Sequence, residues 1–197
     1  MIHKLLANTK VILASASPRR RELFTLLGLS PQITPADLPE PLTAEAPEIQ
    51  AMHHAKNKAL HIRGIVAADA LIVAADTLVA VNEQILGKPD DEPQAKAFLQ
   101  LLSGQKHNVY TGICIIYNGA VLCDYECTAV SFAQLSHFEI DAYIATKEPM
   151  DKAGAYGIQG FGAQFITRVE GCYFNVMGFP IRKFYEMLKE LLAKEML

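Results

Sequence analysis

Six charged residues stand where an ordinary solvated surface does not call for them. Arg19 and Arg20 follow a run of small residues at a helix start, Lys58 lies beside an apolar helix face, and Asp76 interrupts an apolar strand. Lys88 sits between Gly87 and Pro89, and Lys152 precedes a glycine-rich run. Several cations with one embedded acid suit a polyphosphate ester handled with a divalent metal. The cations offset phosphate charge, and the acid holds the metal or activates water. Residue type and spacing carry the reading no further than that.

The elements that must position these residues are legible to different degrees. The run Val11–Ala14 is apolar and reads as a buried strand. Ser15-Ala16-Ser17 breaks it, and Pro18 suits a first helical turn, with Ser17 as N-cap and Gly28 as the stop. Arg19-Arg20-Arg21 then fall where cations oppose the helix dipole. Strand, small-residue turn and arginine-bearing helix start describe an anion site. They equally describe a solvated basic turn whose arginines pair with acids elsewhere, and both readings stand at this point.

A proline-rich passage follows, with Pro31, Pro35, Pro39, Pro41 and Pro47, and reads as an extended loop whose Asp37 and Glu40 could reach back to the arginines. Glu48–Arg63 reads as a helix with Ile49, Met52, Ala55, Ala59 and Ile62 inward, and Gly64 ends it. Its adjacent pair His53-His54 makes a poor metal site, because neighbouring helical residues diverge. Leu71–Val81 is a strand in which Asp76 must be paired, bound to metal, or placed at an opening, since an unpaired carboxylate is costly to bury.

Ile85-Leu86 return after a turn, and Asp90–Ser103 is a helix with Pro93 in its first turn. Asn108–Tyr117 and Ala120–Phe132 flank the hairpin signal Asn118-Gly119. Ser136 and Glu139 form a capping box for a helix to about Thr146. Glu148–Gly162 is a glycine-rich ligand loop or connection. Gln164–Val169 and Tyr173–Met177 read as a second hairpin, and Pro180–Leu197 as the terminal helix with Ile181, Phe184, Leu188 and Leu191 on one face.

Bulk properties narrow the class. The 197 residues suit one large domain, or two closely joined lobes, and no repeat or linker divides them. A net charge of −3 and a pI near 6.1 argue against non-specific nucleic-acid binding over the whole surface, so a phosphate site must be a local patch. No stretch reaches membrane-spanning length, and Met1–Lys10 lacks the apolar core of a signal peptide. Cys114, Cys123, Cys127 and Cys172 show no CxxC pair and read as reduced thiols of a cytoplasmic protein.

Five ordered blocks carry a family resemblance over almost the full length. They are LASASPRR (Leu13–Arg20), AADTLV (Ala74–Val79), GKP (Gly87–Pro89), LSGQKHNVYTG (Leu102–Gly112), and DKAGAYGIQGFG with its sequel to GFP (Gly178–Pro180). The sequence resembles the Maf-like nucleoside triphosphate pyrophosphatases, and the wording of the last block resembles the branch acting on dTTP and UTP. The resemblance implies an α/β fold of two lobes around a cleft, a mixed central β-sheet flanked by helices as in ITPase-like proteins, often as a homodimer. It implies hydrolysis of the α–β phosphate linkage to a nucleoside monophosphate and pyrophosphate, with Mg2+ or Mn2+ as cofactor.

By the same resemblance Asp76 is the proton acceptor, and Arg19, Thr77 and Gln159 bear on substrate choice. Ser15, Arg20, Lys58, Lys88 and Lys152 line the phosphate pocket, and Arg21 faces solvent. The family's metal-binding Asp-Glu pair after the first helix reads Pro39-Glu40 here, leaving Glu40 with Asp76 as metal residues. A nucleotide-binding regulator without turnover, and a pyrophosphatase for another or modified nucleotide, are the alternatives.

Overall fold

The apolar runs of the sequence come together in one seven-stranded mixed sheet, seen in a computed structural model that describes residues 1–195. The strands are β1 (Val11–Leu13), β2 (Gln32–Ile33), β3 (Leu71–Val81), β4 (Gln84–Leu86), β5 (Lys106–Tyr117), β6 (Ala120–Phe132) and β7 (Ile166–Glu170). Their order is β2-β1-β3-β5-β6-β7, with β4 pairing the far end of β3. β1 runs parallel to both β2 and β3, and the remaining pairs are antiparallel. The α-helices are α1 (Ile2–Leu5), α2 (Pro18–Leu26), α3 (Pro47–Arg63), α4 (Glu92–Leu102), α5 (His137–Ala145), α6 (Tyr173–Val176) and α7 (Ile181–Glu195). The last two residues of the expected terminal helix lie outside the described residues.

Period-two alternation along β3 assigns its side chains to two layers. Leu71, Val73 and Ala75 join Phe24 of α2 and Phe184 and Leu188 of α7, while Ile72 and Ala74 join Ala55, Ala59 and Ile62 of α3. Phe24, Phe179 and Phe184 are fully buried with ring centroids 5.0–5.7 Å apart, each contributing roughly 2–3 kcal/mol of apolar burial. Past Asp76, Val79 and Val81 enter a third cluster with α4, α5, Tyr156 and Phe165. Val79 and Val81 share the face of Leu71, Val73 and Ala75, whereas Asp76 follows Ile72 and Ala74 on the face covered by α3.

Local rules account for several element ends. Asn118 and Gly119 both have positive φ, 44° and 82°, and close the β5–β6 hairpin with Tyr117 opposite Ala120. Ser136 and Glu139 make both bonds of the capping box, and the Asp91 side chain caps α4 by accepting from the Gln94 N–H at 2.8 Å.

Three expectations are corrected. The buried face of α3 is not Ile49 and Met52: Ile49 is exposed and Met52 half-buried, and Ala51, Ala55, Ala59 and Ile62 face the sheet. Alanines win that face because Gly112 on β5 brings the helix in too close for larger side chains. A Cβ built on Gly112 would stand 2.3 Å from the backbone of Ala51. The second correction concerns the expected hairpin at Glu170-Gly171. The first arm exists as β7, but Tyr173–Val176 forms helix α6. Side chains hold the chain there, with Thr128 Oγ1 accepting from Cys172 N–H and Asn175 donating to Val109 O and Thr128 Oγ1, so no ladder forms. Third, Ser17 occupies the N-cap of α2 but its side chain makes no cap bond.

Candidate active site

The strand-turn-helix unit at β1–α2 fixes Arg20. Its side chain is buried and held at three points: Nε donates to Gly178 O (2.8 Å), Nη1 to Ser15 Oγ (3.0 Å) and Nη2 to Thr77 Oγ1 (3.1 Å). Ser15 Oγ also accepts the Ser17 N–H at 3.2 Å, and Thr77 Oγ1 lies 3.0 Å from Thr111 Oγ1. Burial lowers the pKa of Arg20, while the charges of Asp76 and Glu40 work in the other direction. All three hydrogen-bond acceptors are neutral. The guanidinium is thus fixed in geometry and left with its charge uncancelled by direct contact.

Asp76 is placed by the register of the sheet. It pairs with Gly112 across β3–β5, and the close approach of α3 at that glycine brings His54 and Lys58 onto its carboxylate. Lys58 Nζ donates to Oδ1 at 2.7 Å, and His54 Nδ1 donates to Oδ2 at 3.0 Å. Lys58 also pairs with Glu40 of the loop after β2, and His54 Nε2 donates to Pro41 O at 3.2 Å. Burial pushes the Asp76 carboxyl up, but the His54 hydrogen bond, the Lys58 charge and hydrogen bond, and the Arg20 charge outweigh it and hold the pKa at about 2. The hydrogen bond to Asp76 raises the pKa of His54 against the opposing effect of burial. Both ring nitrogens face oxygen acceptors, and only the doubly protonated ring satisfies both.

These residues border a cleft of about 1230 Å³, large enough for a nucleotide, with Ser15, Arg19, Arg20, Glu40, Lys58, Asp76, Thr77, Lys88, Lys152 and Gln159 all on its walls. Every candidate site residue of the sequence is therefore brought to one place. Arg19 stands at the rim in an ion pair with Asp151 (3.2 Å), whose other oxygen accepts from Lys152 Nζ at 2.6 Å. Lys88 and Gln159 are exposed, as is Arg21 outside the site. Glu40 reaches Lys58 rather than the arginines, and Asp37 lines the cleft.

The glycine-rich segment forms the wall opposite, and Glu148 organises it. Its carboxylate accepts from Tyr143 O–H (2.9 Å), Phe161 N–H (2.9 Å) and Gly162 N–H (3.2 Å). Burial works against its charge, but these donors keep its pKa below the usual carboxylate range. A Cβ on Gly160, whose φ is +74°, would come within 2.5 Å of that carboxylate. Gln159 is thereby held at the mouth of the cleft on a fixed backbone.

One residue escapes the sequence reading. His54 looks like half of a divergent histidine pair, yet it is buried against Asp76 while His53 is exposed. A usable signal is present in the chain. Gln50, His54 and Lys58 recur at intervals of four beside the alanine stripe Ala51, Ala55 and Ala59, and all three are buried.

Among the described residues no group of three or more histidine, cysteine, aspartate or glutamate side chains is arranged to hold a metal ion. Glu40 and Asp76 do converge on one ammonium, that of Lys58. A buried, ionised carboxylate beside a fixed guanidinium, on a cleft also lined by Lys58, Lys88 and Lys152, describes a site for a polyanion whose attack by water a base can assist.

Comparison with known proteins gives the class its family. Residues 10–191 match the family described as Maf-like protein, and the chain belongs to that family. A dTTP/UTP pyrophosphatase of Aquifex aeolicus is 43% identical over 92% of this chain and 95% of its own length. One from Bacillus cereus is 45% identical, again over 92% of this chain and 95% of its own length. Among solved structures, a HAM1 protein from Coxiella burnetii overlays with a TM-score of 0.48 at 17% identity, covering 95% of this chain and 98% of that one, too loosely to carry an argument.

Proposed function

We propose that the protein hydrolyses dTTP and UTP at the α–β linkage, releasing the nucleoside monophosphate and pyrophosphate. The observation that carries this is the Asp76 carboxylate, held ionised at the cleft wall on the same strand as Thr77, which braces the Arg20 guanidinium. The names of the similar proteins supply the nucleotides.

In this reading the triphosphate lies against Arg20, Lys58, Lys88 and Lys152, with the N–H groups at the start of α2 adding partial positive charge. Asp76 accepts a proton from water, the water oxygen bonds to the α-phosphorus, and the bond from the α-phosphorus to the bridging oxygen breaks with pyrophosphate leaving. A carboxylate at pKa about 2 is a weak base. Phosphate oxygens that draw the charges of Lys58 and Arg20 away from Asp76 leave burial as the larger influence, and its pKa rises toward the task. Gln159 offers a donor and an acceptor to the edge of a pyrimidine, and Arg19 and Thr77 flank the same space.

Glu40 and Asp76 would hold the divalent cation, Mg2+ or Mn2+. Two hard carboxylates fit such an ion when phosphate oxygens and water complete its shell. When bound, the metal supplies charge neutralisation on the phosphates. We take residues 1–197 as a single unit of two lobes, since the seven described strands join in one sheet. The homodimer is a further expectation, checked by light scattering.

Pyrophosphate release from a nucleotide panel with magnesium or manganese tests the proposal. Release greatest with dTTP and UTP is the expected result. Tight binding without release leaves a regulator, and best turnover of a modified guanine nucleotide moves the protein to another branch.

A further inference from the structure

Helix α3 carries a residue that the reaction uses indirectly. Gln50, His54 and Lys58 form a buried polar stripe one turn apart, and each rung grips the same loop. Gln50 accepts from Thr43 N–H at 2.9 Å and donates to Thr43 O at 3.0 Å and Glu45 O at 2.6 Å. His54 donates to Pro41 O, and Lys58 pairs with Glu40. Two of the three rungs also reach Asp76, one on each carboxylate oxygen.

The two oxygens differ in what substrate leaves them. Lys58 borders the cleft, so its ammonium is open to a phosphate and its hold on Oδ1 is exchangeable. His54 is not among the cleft-lining residues. It approaches Oδ2 from the helix side, and its other nitrogen is anchored on a backbone carbonyl. A triphosphate therefore meets Lys58 and not His54.

We infer that His54 is the positioning residue of this site: its Nδ1–H keeps Asp76 Oδ2 in place while Oδ1 is released to accept the water proton, and its Nε2–H ties the Glu40-bearing loop to the same carboxylate. The inference rests on the proposed hydrolysis, with Asp76 as proton acceptor. The imidazole fixes the carboxylate plane, which sets the direction of the Oδ1 lone pairs toward the cleft. Through Pro41 O it also fixes the distance between Asp76 and the loop one residue from Glu40.

Two near-isosteric substitutions separate these roles. Asparagine offers its amide where Nδ1 stands and cannot reach Pro41 O, while glutamine offers its amide where Nε2 stands and forfeits Oδ2. His54→Asn is expected to lose less than about tenfold in kcat while KM rises several-fold and amide exchange in the 40–45 loop speeds up. His54→Gln is expected to keep the loop protected and KM near the parent, with kcat falling about 10- to 100-fold. His54→Leu is expected to show both defects. Thermal unfolding of each variant identifies any that fails to fold, and the Asn and Gln proteins keep the test open if Leu is lost.

Wild-type protein that releases no pyrophosphate from any nucleotide overturns the function itself. Active wild-type protein with a folded His54→Leu variant within about twofold in both kcat and KM overturns the role of His54 alone. Equal kcat losses in Asn and Gln, with unchanged loop exchange in both, reduce His54 to packing and also overturn it.

Discussion

Replacing Asp76 by asparagine should destabilise the protein as well as silence it, and the pH dependence of that loss follows from the geometry. The wild-type carboxyl falls from its ordinary value of 3.8 to about 2 because His54, Lys58 and Arg20 together outweigh its burial. At about 1.4 kcal/mol per pH unit, that depression is worth about 2 kcal/mol of folding stability at neutral pH. A group whose folded pKa is depressed contributes fully above its unfolded value and loses the contribution as pH falls toward its folded value. The window therefore runs from 3.8 down to about 2. Asparagine keeps the shape and an oxygen for Lys58, but removes one of the two carboxylates paired with the buried ammonium and leaves the His54 N–H without a charged acceptor.

Urea unfolding of wild type and Asp76→Asn at pH 7, 5, 3 and 2 measures this directly. The difference should be about 2 kcal/mol at pH 7 and 5, equivalent to about 4–8 °C in Tm, and should vanish near pH 2. Removal of a general base should lower kcat by about 10²- to 10⁴-fold while nucleotide binding survives. A variant as stable as wild type at pH 7, or a deficit unchanged at pH 2, refutes the claim that Asp76 is ionised through these partners.

Arg20→Lys removes a fork that is held at Gly178 O, Ser15 Oγ and Thr77 Oγ1, and an ammonium cannot span the three, so KM should rise about 10- to 100-fold in steady-state assays. Gly112→Ala forces a methyl into the backbone of Ala51, which should cost about 3 kcal/mol by thermal unfolding and lower turnover by lifting α3 from Asp76. His107 is buried beside Tyr156, and burial lowers its pKa to about 4, so the neutral ring is the folded form. Its contribution is complete above the ordinary value of 6.5 and is lost as pH falls toward 4; His107→Gln should flatten the stability profile in that interval, as followed by urea midpoints.

Much of the site was legible because its residues break local rules. Arg19 and Arg20 oppose a helix dipole, and Asp76 interrupts an apolar strand, so each advertised a partner elsewhere in the fold. The β5–β6 hairpin and the α5 cap were legible for the opposite reason, since Asn118-Gly119 and Ser136–Glu139 satisfy their own neighbours. What escaped was set by long-range packing. The inward face of α3 depends on Gly112, 61 positions after Ala51 in the chain, and nothing near Ile49 or Met52 records that contact. His54 was hidden by the same cause, because its value comes from the depth at which α3 sits. The helix at Tyr173–Val176 depends on Thr128 and Asn175 bonding across the sheet, which alternation within the segment cannot report.

The charge pattern of the cleft explains why three arginines can open a helix that would be more stable without them. Arg19 and Lys152 share Asp151, and Lys58 shares Glu40 and Asp76, so these cations are held by carboxylates at the wall of the cleft. Arg19–Asp151 is half-open to water and contributes less than about 1 kcal/mol, so exchanging that carboxylate for a phosphate oxygen costs little. Arg20 is different: its three partners are neutral oxygens, and no exchange is needed before it faces an anion. The acids thus keep the flexible cations in reach while the rigid one stays available. Asp76 gains most from the swap, because each positive charge that turns to a phosphate removes a reason for its carboxyl to stay unprotonated. In the proposed reaction, substrate binding and activation of the base are then the same electrostatic event.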